Sequence, residues 1–336
     1  MARKTTRSTS SPRSAKKPVR RASAKRAASG RNGASAAGRR QKTASAVAPT
    51  ARYPDFLAIE PRYTGRDTSA VSIIPVPYDE TSTYHKGADR GPRALLEASG
   101  TVEFYDIPTG TEMYRRGIHT EPPIEDKGPP ERLADLVEQR VNGALDRAQL
   151  PVVLGGEHSV SIGAIRACAR RHRGMSVLQI DAHGDTRESY MGSTHNHACV
   201  MARAREWCPI VQVGIRAFDA EETRSMDRAR VFFAHEIAGS PDRSWMDRVV
   251  DLLTDDVYLT IDLDGLDPSI MPATGTPEPG GLDWYEVNEL IRRVVARRRI
   301  VAFDVVELLP TAGLHSCDFI AAKLVYRILS EIFAGR

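Results

Sequence analysis

Met175-Ser-Val-Leu-Gln-Ile180-Asp181-Ala-His183-Gly-Asp185 is the stretch on which the reading of this 336-residue chain turns. Its apolar half reads as a β-strand buried on both faces. The run then stops at two acids and a histidine. In an α/β sheet the carboxyl ends of such strands form the crevice where ligands bind. Residues two apart on an extended chain point the same way. Asp181, His183 and Asp185 therefore converge from one strand end and its turn.

Two further stretches are built alike. Pro151-Val-Val-Leu154 leads into Gly-Gly-Glu157-His158-Ser159, and Val257-Tyr-Leu-Thr-Ile261 into Asp262-Leu-Asp264-Gly-Leu-Asp267-Pro268. Taken singly, each is an ordinary turn after a strand, a helix-capping aspartate or a satisfied core histidine. Taken together they read as a metal centre. His158, Asp181, His183, Asp185, Asp262 and Asp264 supply only carboxylate and imidazole, more than one tetrahedral zinc needs. Such ligands suit Mn²⁺ or another ion that prefers octahedral geometry. Carboxylates also bridge, so the set predicts two ions close together, an arrangement that generates hydroxide at neutral pH.

In order and spacing the three stretches resemble the metal motifs of the ureohydrolase (arginase and agmatinase) family. The resemblance runs from about residue 60 to the C-terminus. It includes Val76-Pro-Tyr-Asp-Glu-Thr-Ser-Thr-Tyr-His-Lys-Gly-Ala-Asp-Arg-Gly-Pro-Arg-Ala-Leu-Leu-Glu-Ala-Ser99 and Gly275-Thr276-Pro277-Glu278-Pro-Gly-Gly281. Glu157 stands where the family usually has aspartate, and the ligand His158 is kept. The resemblance implies a three-layer αβα arginase-like fold around a central parallel sheet, and two Mn²⁺ per subunit. One ion would be held by His158, Asp181, Asp185 and Asp262, the other by His183, Asp181, Asp262 and Asp264, with Asp181 and Asp262 bridging. His197, in His-Asn-His197-Ala-Cys-Val-Met, matches the family's proton-shuttling histidine. Glu307, in Phe303-Asp-Val-Val-Glu307-Leu-Leu-Pro310, matches the carboxylate that holds the substrate guanidinium. Leu308 and Leu309 depart from the usual Glu-Val-Asn-Pro pattern and make the adjoining wall more apolar.

The chemistry asks for each part. A guanidinium is resonance-stabilised and its amine leaves poorly, so hydrolysis needs a strong nucleophile such as a metal-bridging hydroxide. It also needs a carboxylate that pairs with the planar N–H fork and an imidazole that protonates the departing amine. Within the family, Tyr78-Asp-Glu-Thr81, Pro277-Glu278 and His197-Ala-Cys-Val-Met201 are features of agmatinase-like members. Arg187 stands where arginases place an asparagine for the amino acid's carboxylate. The expected substrate is therefore agmatine, converted to putrescine and urea as a step of polyamine biosynthesis. Aminopropylagmatine is the nearest alternative, then guanidinobutyrate, with arginine disfavoured. Glu307, Thr276 and Glu278 are the expected substrate contacts, and Glu188, Glu278 and Asp79 are candidates for meeting a distant ammonium. Histone deacetylases share the broad fold but use a single zinc, which the sixfold ligand set disfavours.

Residues 1–50 are a different material, with fourteen Lys or Arg, no acid and few large apolar side chains. The remainder, 51–336, holds 33 basic residues against 43 acidic ones, so the overall +4 averages a +14 tail and a −10 body. The tail reads as disordered. It suggests weak, salt-sensitive contact with nucleic acid or another polyanion, which keeps a polyanion-binding protein as a reading of a different class. It lacks the apolar stretch of a secretory signal. From about residue 55, strand-like and helix-like segments alternate, as in one parallel α/β catalytic domain. No apolar run reaches membrane-spanning length. The four cysteines show no metal-ligand spacing and, with the oxygen-rich ligand set, fit a reduced cytoplasm. The family resemblance implies a homo-oligomer, a trimer or hexamer.

Overall fold

In the computed structural model, which describes residues 52–334, the apolar runs become eight strands of one sheet. The strands are β1 (Val71–Val76), β2 (Ile118–Thr120), β3 (Leu150–Gly155), β4 (Ser176–Ile180), β5 (Ile210–Ile215), β6 (Val231–Phe233), β7 (Asp256–Asp262) and β8 (Arg299–Val306). Their order is β2-β1-β3-β8-β7-β4-β5-β6, and every pair is parallel. The basic tail over 1–50, and the polyanion contact expected of it, lie outside the described residues.

A parallel sheet must be covered on both faces. Alternate side chains of each strand enter different apolar clusters. Ile73, Val152, Leu154, Leu259, Ile261, Phe303 and Val305 point to one. Ile74, Val76, Val153, Tyr258, Ala302 and Val306 point to the other. The first face is covered by α1 (Gly91–Ser99), α6 (Ser244–Leu252), α7 (Trp284–Arg297) and α8 (His315–Phe333). The second is covered by α2 (Pro130–Asp146), α3 (Ser161–Arg171) and the short α4 (Val200–Ala204). A one-turn α5 (Ala234–Ile237) follows β6. The result is the three-layer αβα arrangement that the family resemblance implies. Among the described residues no helix is long and apolar enough to cross a membrane. All four cysteines are buried and unpaired.

The strand order places the site. β3 and β4 follow one another in sequence, yet β8 and β7 lie between them. The connections therefore diverge, and a crevice opens at the carboxyl ends of the central strands. Four adjacent strand ends, β3, β8, β7 and β4, carry the Glu157-His158, Glu307, Asp262-Asp264 and Asp181-His183 stretches respectively.

Candidate active site

Asp181 is the hub. Two groups of potential ligand atoms, His158–Asp181–Asp262 and Asp181–His183–Asp264, each lie within 4.8 Å of one another, and Asp181 belongs to both. His158 Nδ1 sits 3.1 Å from Asp181 Oδ2, 3.1 Å from Asp185 Oδ2 and 3.5 Å from Asp262 Oδ2. His183 Nδ1 is 3.0 Å from Asp264 Oδ2 and 3.7 Å from Asp181 Oδ1. All six residues named from the motifs are thus brought together.

Local backbone explains the convergence. Asp262 caps the turn after β7 by accepting the Asp264 N–H at 2.8 Å. Asp181 accepts the His183 N–H at 2.6 Å and the Gln179 amide at 2.7 Å. Asp264 accepts the Ala182 N–H at 3.0 Å, tying the ends of β7 and β4 together. Asp185 and Glu307 both adopt positive φ, 51° and 64°, uncommon for side chains other than glycine and a form of strain that gathers at functional sites. Gly156 is required by close packing, since a Cβ there would meet the Tyr78 carbonyl oxygen at 2.0 Å.

The donor set fits a pair of hard divalent cations. His158 Nδ1 is fully buried and has no hydrogen-bond partner, although three carboxylates surround it. Its other nitrogen, Nε2, lies 2.8 Å from Thr260 Oγ1, whose own proton goes to Asp304 at 2.6 Å. Thr260 can then only accept, so Nε2 carries a hydrogen and Nδ1 is the nitrogen left facing the acids, the one a metal would take. Tyr258 donates to the second oxygen of Asp304 at 2.6 Å.

Charge tells the same story. Burial acts to lower both ligand imidazoles. Asp181, Asp185 and Asp262 overcome this and hold His158 well above its ordinary value, while Asp264 and Asp181 hold His183 up to about 12. Burial and the neighbouring Asp181 push Asp185 up to about 6, and burial with Asp264 raises Asp262 well above the carboxylate range. So dense a group of buried carboxylates calls for compensating positive charge.

A cavity of 340 Å³ opens over this cluster, lined among others by Tyr84, His197, Phe218, Asp219, Thr276 and Glu307. Glu307 Oε1 accepts the His158 backbone N–H at 2.7 Å, and burial followed by Glu157 raises its pKa well above the usual range. His197 lines the cavity, whereas its neighbour His195 does not and instead faces Glu131 at 3.8 Å. Burial, followed by His183 and His158, pushes His197 down to about 4, so its imidazole is neutral at pH 7.

The remaining predicted contacts divide. Thr276 faces the cavity; Glu278 is absent from its lining, and its backbone carbonyl accepts from Arg216 at 2.7 Å. Glu188 pairs with Arg203 and Arg205. Asp79 is buried and receives the Gly87 and Ala88 N–H groups. Two further acids of the lining, Asp219 and Glu222, escaped the sequence reading because they lie several residues beyond the end of β5, with no histidine beside them.

A sequence profile described as "Arginase family" matches residues 69–330. The chain belongs to the arginase family. It is 39% identical to the N(1)-aminopropylagmatine ureohydrolase of Synechocystis sp., over 78% of this chain and 88% of that protein. Against the enzyme of the same name from Thermus thermophilus it is 36% identical, covering 78% and 90%. Among solved structures, the agmatine ureohydrolase of Thermoplasma volcanium superimposes with a TM-score of 0.75 at 30% identity, covering 85% of this chain and 95% of that one. The chain is an arginase-family ureohydrolase, a hydrolase of guanidino compounds.

Proposed function

We propose that this ureohydrolase acts on N1-aminopropylagmatine, releasing urea and the aminopropyl-extended diamine, with two Mn²⁺ held by His158, Asp181, His183, Asp185, Asp262 and Asp264. The observation that carries the substrate is the likeness to aminopropylagmatine ureohydrolases over most of both chains. It favours this compound over agmatine, which the motifs alone put first. The cavity supports the choice. Its lining includes Tyr84, Tyr190 and Phe218 and the acids Asp219 and Glu222, suited to methylenes that carry positive charge. Arg187, the cation in that lining, faces Asp219 and Glu222, each at 3.5 Å. A substrate ending in a carboxylate, such as guanidinobutyrate, would compete with two acids for one guanidinium.

When bound, the metal pair supplies Lewis acidity and water ionised at neutral pH. The protein's own groups do the rest. Glu307 pairs with the planar guanidinium and orients its carbon toward the cluster, and Thr276 adds a polar contact on the same wall. His197, neutral at rest, accepts a proton at the cavity-facing nitrogen and delivers it to the departing amine. The leucines after Glu307, expected to make the adjoining wall more apolar, are absent from the cavity lining, and Leu308 is buried in the core instead.

The test is urea release by Mn²⁺-loaded full chain from aminopropylagmatine, agmatine, guanidinobutyrate and arginine. The highest kcat/KM is expected for aminopropylagmatine. Agmatine in first place would restore the shorter substrate, for which the Thermoplasma structural likeness speaks. Arginine or guanidinobutyrate in first place would overturn the cationic-tail reading.

A further inference from the structure

Glu157 and Thr81 lie outside the metal set and do not line the cavity, yet they reach His197. Glu157 is wholly buried. Its Oε1 receives the Thr81 hydroxyl at 2.7 Å and the Ser159 hydroxyl at 2.6 Å. Its Oε2 receives the Thr81 backbone N–H at 2.8 Å and the Ser82 hydroxyl at 3.3 Å. One carboxylate thus clamps the loop after β1 to the end of β3. On the far side, Thr81 Oγ1 accepts the His197 backbone N–H at 3.2 Å and lies 3.1 Å from His197 Nδ1.

We infer that Glu157 and Thr81 form a relay that sets the tautomer of His197, which makes Thr81 a positioning residue for proton transfer; this rests on the reading of His197 as the proton donor. The argument counts hydrogens. A threonine hydroxyl has one proton and two lone pairs. Its proton goes to the carboxylate, the stronger acceptor and the shorter contact. The oxygen can then only accept, so His197 Nδ1 must carry a hydrogen. The other nitrogen, Nε2, keeps its lone pair for the reaction. With the hydroxyl turned the other way, Nε2 would hold a hydrogen at rest and could not accept one. The arrangement uses the position where this chain has glutamate in place of the family's usual aspartate, and the longer side chain spans from β3 to Thr81.

The experiment compares Thr81→Val, which deletes the hydroxyl and keeps the shape, with Thr81→Ser, which restores it, both in the full chain. Thr81→Val is expected to lower kcat at least tenfold with KM and bound Mn²⁺ within twofold of the parent, and Thr81→Ser to recover most of that loss. Side-chain ¹⁵N spectra recorded before Mn²⁺ addition, with His197 assigned by its absence in His197→Ala, should show an Nδ1–H tautomer in the parent and a shift toward Nε2–H in Thr81→Val. An Nε2–H tautomer in the parent, or normal kcat in Thr81→Val, would overturn the relay. So would a fall in kcat matched by a fall in bound Mn²⁺ with the tautomer unchanged. Full activity in His197→Ala would instead sink the proton-donor reading and leave the tautomer measurement standing.

Discussion

At the scale of single residues, the proposed mechanism separates groups that hold charge from groups that move protons. Replacing Asp181, the residue common to both ligand groups, with alanine should abolish metal binding and activity together, read by metal analysis beside urea kinetics. His197→Ala should keep its metal and lose turnover, by about 100-fold or more if general acid–base catalysis contributes as usual. Glu307→Gln keeps the shape but removes the carboxylate that a bound guanidinium would hold ionised. With a charge-assisted pair worth roughly 1.5–3 kcal/mol, kcat/KM should fall about 10- to 100-fold. At this scale much of the site was legible. Asp181, His183 and Asp185 sit at alternating positions after an apolar run, and that pattern is local. The hydrogen bonds that orient them are not. Thr260 meets His158 across 102 residues and Thr81 meets His197 across 116. A lone threonine has no spacing to mark it.

Secondary elements decide how rigidly those residues are presented. α7 opens with a full capping box, in which Asp283 accepts the Glu286 N–H at 2.7 Å and Glu286 returns the bond at 2.9 Å. Asp283→Ala should therefore cost about 1 kcal/mol and lower Tm by about 2 °C, with activity unaltered, checked by thermal melting and urea release. α7 was not singled out from the sequence, although Val287, Leu290, Ile291 and Val294 are buried at helical spacing behind that box. Nor was β2. It is three residues long and pairs only with β1 at the sheet edge, so partner geometry rather than its own composition makes it a strand. The longer strands and α1, α2, α3 and α8 follow the apolar periods seen in the sequence, because each buries enough side chains for periodicity to dominate.

For the whole molecule, the proposed metal centre would couple catalysis to stability. A ligand that binds only the folded state raises apparent stability by mass action, and here it would also neutralise buried carboxylates from β4 and β7. Adding Mn²⁺ to chelator-treated protein should raise Tm, by about 2.7 kcal/mol of stabilisation at a hundredfold excess over Kd, and Asp181→Ala should lose that response. The proposed boundary at residue 51 carries its own prediction, that residues 51–336 alone retain the activity of the full chain in the urea assay. By itself the sequence determined the parallel α/β class and the family, and it named the acids and histidines that the fold gathers into one cluster, because strand periodicity and strand-end motifs are short-range properties. Only the tertiary structure decided which side chains share one cavity. It brought in Asp219 and Glu222, left Glu278 out of the lining, and joined Glu157 to His197 through Thr81. The reason is physical: the order of strands in a sheet sets these neighbours, and no local spacing encodes that order.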